Sequence, residues 1–134
     1  MPTPTTLDET VAPTDTGHDT AHSVIHAAVN AAALVPVKAV TTSRTLALDD
    51  SGEHLQVSSA SPVTVTVPPT SSVAFPVGTV IGVGRWGAGT VTVTAGAGVT
   101  VRTAAAAGTL RAQYSVATLH KVAADEWALS GDLG

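Results

Sequence analysis

The chain has 134 residues, of which 44% are hydrophobic and only 12% charged, with a formal net charge of −4. That length allows one compact domain plus an appendage. The absence of cysteine excludes disulfides and thiolate metal sites, and the lack of any basic patch argues against a nucleic-acid partner.

The charge is uneven. Asp8, Glu9, Asp15 and Asp19 lie in a stretch without Lys or Arg, and the acids and bases of the remaining chain cancel. An acidic N-terminal segment therefore precedes a neutral body. Aromatic residues are few: Phe75, Trp86, Tyr114 and Trp127. Ala and Val must fill most of a core, and each buries less area than Leu or Phe. Oligomerisation helps so small a core. Thr, Ser and Ala must cover the outside, a surface suited to packing against neighbours. The N-terminus has neither the basic nor the apolar region of a signal peptide. The longest apolar run, residues 27–37, is broken by Asn30 and Pro36 and is too short to span a bilayer. Neither membrane nor nucleic acid is an expected partner.

Residues 1–17, MPTPTTLDETVAPTDTG, are rich in Pro, Thr and acids. They read as a flexible acidic arm that becomes ordered by lying on another protein. Asp8, Glu9 and Asp15 are its candidate docking residues.

Residues 18–36 form the one helix candidate. Asp19 or Thr20 can cap it, and Pro36 ends it. Ala21, Ile25, Ala28 and Ala32 fall on one narrow stripe. Such a helix is marginal alone and needs either its own β domain or copies of itself. Ile25 and Val29 are the best candidates for contacts in an oligomer helix.

From residue 37 to 134 the period changes to two. Val63-Thr-Val-Thr-Val67 and Thr90-Val-Thr-Val-Thr94 alternate strictly, giving β-branched strands with one buried and one exposed face. About eight strands are expected, near 44–48, 53–58, 62–67, 78–85, 89–94, 98–103, 115–122 and 126–130. Turns are expected at Asp49-Asp50-Ser51-Gly52, Gly87-Ala88-Gly89 and Ala123-Ala124-Asp125. Ala95-Gly-Ala-Gly98 is expected to close a hairpin, and Pro68-Pro69 to stop a strand. The predicted fold is mainly β, a small antiparallel sandwich or barrel, with Trp127 and Leu129 as core anchors.

Candidate chemistry is sparse. His18, His22 and His26 stand four residues apart on the helix candidate, so in a three-fold bundle copies of one His could ring an axis and hold a metal or an anion. The alternative is a set of helix histidines that cap, hydrogen-bond or touch a neighbour. Asp49-Asp50 and Asp125-Glu126 sit in predicted turns, where acids bond local amides and face solvent. No G-x-S-x-G elbow is present. Gly82-Val-Gly84 is half of a dinucleotide fingerprint and lacks its later glycine and helix. Trp86 either caps the end of a β core or stacks on a sugar as a glycan contact. The residues thus suggest no enzyme and no cofactor.

The runs SASPVTVTVPPTSSVAFPVGTVIGVGRWGAGTVTVTAGAGVTVRT and LRAQYSVATLHKVAADEWALSGDL resemble a β module of actinobacteriophage virion structural proteins. The same module recurs in head-decoration or head-fibre proteins and in minor tail proteins. GHDTAHSVIHAAVN resembles the Gly-His-x-x-x-His helix that precedes it. The likeness leaves only the arm outside, and no single motif within it is diagnostic. It implies a non-enzymatic structural protein of a tailed-phage virion, made in the host cytoplasm. The implied role is a capsid decoration or head-fibre protein, a homotrimer whose arm binds the major capsid protein. The alternative is a minor tail or tail-tip protein with host-glycan or receptor binding.

Overall fold

The computed structural model describes residues 34–105 and 107–134. The arm and the helix stripe expected before residue 34 lie outside the described residues. Within them the fold is mainly β, with nine short strands in two sheets and no α-helix. In chain order the strands are β1 (Val37–Val40), β2 (Arg44–Thr45), β3 (His54–Val57), β4 (Val63–Val67) and β5 (Val80–Arg85). They continue with β6 (Val91–Ala95), β7 (Thr100–Arg102), β8 (Val116–Ala123) and β9 (Glu126–Gly131). The expected strands correspond to β2–β9 with small shifts of boundary. The addition is β1, whose Val-Lys-Ala-Val buries only Val40 and so carries no readable alternation.

The strand pairing corrects the antiparallel expectation. One sheet has six strands in the order β1-β3-β5-β8-β9-β7, and the other has three in the order β2-β4-β6. The three-stranded sheet is wholly parallel. In the larger sheet β1, β3 and β5 run parallel, β5-β8 and β8-β9 antiparallel, and β7-β9 parallel. From β1 to β6 the chain alternates between the sheets, and each strand pairs with the one two places earlier. This is the winding of a short β-solenoid. Period two fixes which face of a strand is buried but not which strand lies beside it. The links decide that. The link over 58–62, with Pro62, carries the chain to the other sheet instead of folding it back. The link over 68–79 begins at Pro68-Pro69 and returns it.

The core lies between the sheets. Val63, Val65, Val67, Val91 and Val93 face it from the three-stranded sheet, while Leu55, Val57, Ile81, Val83 and Leu119 face it from the other. Register pairs Val63 with Val91 and Val65 with Val93, so valines stack from one coil to the next. Coils also meet closely at a corner. Gly89 N–H donates to Ser59 O at 2.8 Å, and a Cβ at Gly89 would stand 2.1 Å from Ser61 O. Only glycine allows that approach.

The last coil is closed by β8 and β9, whose two-residue turn contains Asp125 at φ 54°. Trp127 and Leu129 are buried there as expected. Trp127 meets Phe75 edge to face at 5.4 Å, a contact worth about 0.5–1.5 kcal/mol beyond area burial. The turn at 96–99 exists, with Gly98 at φ 78°, but it is not a hairpin. β6 and β7 lie in different sheets.

Candidate functional site

Two clusters in the structure are built from side chains that sequence reading kept apart. The first is buried. Asp50 was expected to face solvent in a turn, yet it is fully buried. Lys38 Nζ on β1 donates to its Oδ1 at 2.7 Å, and Arg44 Nη2 on β2 donates to its Oδ2 at 2.8 Å. The Ala47 backbone N–H adds a third bond at 2.9 Å. Burial alone would raise the Asp50 pKa. The bonds from Lys38 and Ala47, with the charge of Arg44, instead hold it below the usual carboxylate range. This cluster clamps the first coil, with all three of these bonds spent on the Asp50 carboxylate.

The other acidic pair also serves structure. Asp125 bonds an amide, as expected, but a distant one: Thr70 N–H at 2.6 Å. That bond holds its pKa low. Glu126 pairs with Arg102 at 3.1 Å. Lys121 is buried beneath this turn, donating to Thr70 Oγ1 at 2.9 Å and to Phe75 O at 2.7 Å. No group of three metal-ligating side chains occurs among the described residues. His18, His22, His26, the arm residues Asp8, Glu9 and Asp15, and the stripe Ala21, Ile25, Ala28, Val29 and Ala32 lie outside those residues.

The second cluster is on the outer face of the six-stranded sheet. Alternation and register place Val37 and Ala39 of β1, His54 and Gln56 of β3, and Val80, Gly82 and Gly84 of β5 on that face. β8 adds Val116, Thr118, His120 and Val122. None of these positions on β1, β3, β5 or β8 carries an acid, a lysine or an arginine. The nearest ion pair on the face, Arg102–Glu126, is at the far edge on β7 and β9.

Aromatic rings gather at one end of this face. Trp86, just past β5, meets His54 at 5.8 Å and Tyr114 at 5.7 Å, with interplanar angles of 81° and 88°. The glycines of β5 make room for them. A Cβ on Gly84 would stand 2.6 Å from the Trp86 ring and 2.9 Å from the His54 ring, and one on Gly82 would stand 3.1 Å from His54 Nδ1. Gly82-Val-Gly84 is therefore a seat for two rings, not a fragment of a phosphate loop.

Tyr114 is 64% exposed and has φ 73°. A left-handed backbone costs a bulky L-residue about 1–2 kcal/mol. Hydrogen bonds hold the turn that carries it. Ser115 N–H donates to Ala112 O at 3.0 Å, and Ser115 Oγ donates to Asp132 Oδ2 at 2.7 Å. Arg111 Nε donates to Asp132 Oδ1 at 2.7 Å. The Arg111 bond first, and then Ser115, lower the Asp132 pKa. Gln113 Nε2 donates to Trp86 O at 2.9 Å and ties this turn to the end of β5. Trp86 was the one member of this cluster legible beforehand. His54 and Tyr114 are far from it in sequence, and the spaced glycines were the only local signal.

A groove of about 530 Å³ runs beside β7 and β9, lined by Val101, Arg102, Ala105, Leu129, Gly131 and Leu133 among others. Arg102, its one charged lining residue, is already paired with Glu126.

Compared with known proteins, the chain matches no family model, no curated sequence and no solved structure.

Proposed function

We propose that this chain is a non-enzymatic structural component of a tailed-phage virion, a capsid decoration or head-fibre protein that works as a homotrimer. The observation that carries the assembly role is the charge-free outer face of β1, β3, β5 and β8. Val80 and Val122 are 45% and 44% exposed there, among neutral neighbours. Packing such a face against protein releases water from apolar area and strips no ion of its hydration. The likeness of the sequence to phage virion modules supplies the setting. In this reading copies associate through the aliphatic end of the face, and the acidic arm binds the major capsid protein. An arm that orders on docking can add strand pairing at a lattice edge.

Copy number and position in purified virions, from cryo-electron microscopy and quantitative mass spectrometry, test the proposal. Hundreds of copies on the shell are expected. Finding the protein absent from virions would end the structural reading. Deleting residues 2–17 should abolish incorporation while leaving a folded body, and normal incorporation would remove the arm from the mechanism.

The ring cluster supports a second reading, a minor tail or tail-tip protein that touches host glycans. The exposed Tyr114 beside Trp86 is the observation that favours it. A few copies located at the tail would favour this reading over decoration.

A further inference from the structure

We infer that His54, Trp86 and Tyr114 form a binding site for a neutral hexopyranose, with Gln113 supplying polar contact at its rim. The inference deepens the surface-display part of the function proposed above and rests on it only for where the ligand is met. Binding itself is a property of the isolated protein.

Three observations converge. The first is shape. His54 and Tyr114 both stand nearly perpendicular to Trp86, at 81° and 88°. Rings so arranged make a corner, whereas a flat apolar patch would suit a flat protein surface. A pyranose has one apolar face of C–H groups and a rim of hydroxyls. It can lay that face on one ring while its edge meets another.

The second is charge. The outward positions of β1, β3, β5 and β8 around the cluster hold no ionic side chain. A phosphate, an acidic sugar or a nucleic acid would find no cation at those strand positions, and the neighbouring Arg85 guanidinium is bonded to Ala88 O at 2.7 Å. The polar groups beside the rings include the side-chain amides of Gln56 and Gln113. Gln113 uses its Nε2 on Trp86 O. Among the described residues no hydrogen bond engages its carbonyl oxygen, which can accept from a sugar hydroxyl.

The third is backbone strain beneath an exposed aromatic residue. Tyr114 is 64% exposed and holds a left-handed φ of 73°. Glycine or asparagine would hold that turn with less strain. The Tyr114 ring adds little to the core, so its presence points outward, to a ligand. The Gly82 and Gly84 seat makes the same point, since strand glycines cost stability and here they clear space for the rings.

The test uses the purified full chain against glucose, galactose, mannose, maltose, cellobiose and lactose. Saturation-transfer NMR and Trp fluorescence provide the readouts. At least one sugar of the panel should bind, with saturation transferred most strongly to the C–H protons of one ring face. Trp86→Ala and Tyr114→Gly should each weaken binding at least about tenfold, roughly the loss of one aromatic contact. Tyr114→Gly is the deciding variant. It relieves the left-handed backbone, so its melting temperature should stay level or rise while binding is lost. Tyr114→Asn, also tolerant of that backbone, should behave alike. The inference is overturned if no sugar of the panel binds, or if Tyr114→Gly binds as the parent does. It is also overturned if Tyr114→Gly changes only the oligomeric mass in light scattering, which would make the corner an interface between copies.

Discussion

On the inner side of β3, β5 and β8 the chain places Leu55, Val57, Ile81, Val83, Ala117 and Leu119, all buried. On the outer side of the same strands it places His54, Gln56, Val80, Gly82, Gly84, Val116, Thr118, His120 and Val122. The inner set is aliphatic and interdigitates with the valines of the other sheet. The outer set is mixed and charge-free, and it gives up side chains on β5 so that rings from other positions can lie there. Stability is concentrated on one side, and the proposed recognition surface lies on the other. Substitutions should therefore separate folding from binding according to which side they touch.

The largest effect should come from the inner side. Trp127→Ala removes the largest buried side chain and its contact with Phe75. It should cost about 3–5 kcal/mol in urea unfolding. A loss below about 1 kcal/mol would show that the β8–β9 closure does not depend on that ring.

Asp50→Ala comes next, at about 3 kcal/mol, the low end for breaking a buried pair because Lys38 and Arg44 keep some access to water. The same residue gives a pH signature. Asp50, Asp125 and Asp132 all have folded pKa values below their unfolded ones. Their stabilisation is thus fully present above the unfolded carboxylate value of about 3.9. It is lost as pH falls through the lower folded values, because the unfolded chain then binds more protons. Melting temperature should hold from neutral pH down to about 4 and drop below it. The drop should be shallower in Asp50→Ala, and an identical acid limb in parent and variant would rule out this account.

Gly84→Ala probes the boundary between the two sides. Its Cβ meets the Trp86 and His54 rings, so it should cost about 1 kcal/mol, the low end for overpacking, since rings on an open face can swing away. Trp86 emission should shift with it, and an unchanged spectrum would mean that the rings do not rest on β5. The smallest change in stability belongs to Val122→Lys on the outer face, below about 0.5 kcal/mol. Its effect should appear as a lower oligomeric mass in light scattering. An unaltered mass would remove the aliphatic end from the assembly surface.

Strand positions were legible because Val and Thr alternate without interruption in β4 and β6, and Trp127 and Leu129 were legible as anchors because they share one face of β9. Strand partners were not. A valine that faces a core looks the same in parallel and antiparallel pairing, and the returning links carry no residue that states the sheet to which they return. Asp50 looked like a turn acid because its neighbours are Asp49, Ser51 and Gly52. Nothing local shows that Lys38 and Arg44 converge on it from two different sheets. Trp86 stood out as a loop aromatic, but Tyr114 joins it only through the antiparallel β5–β8 register, and His54 only through the parallel β3–β5 register.

The coiled strand order also sets the tempo of folding. β8 and β9 alone are joined by a tight turn. β1 meets β3, β3 meets β5, and β2 and β4 meet their partners, only after a whole coil of chain has closed. Closing such loops costs entropy before any contact repays it, which places the chain among slow, milliseconds-to-seconds folders. Until the coils close, the Val/Thr strands have unpaired edges that fit another copy as well as their own chain. Refolding yield should accordingly fall as protein concentration rises, and a newly made chain is best served by partners that cover its strands early.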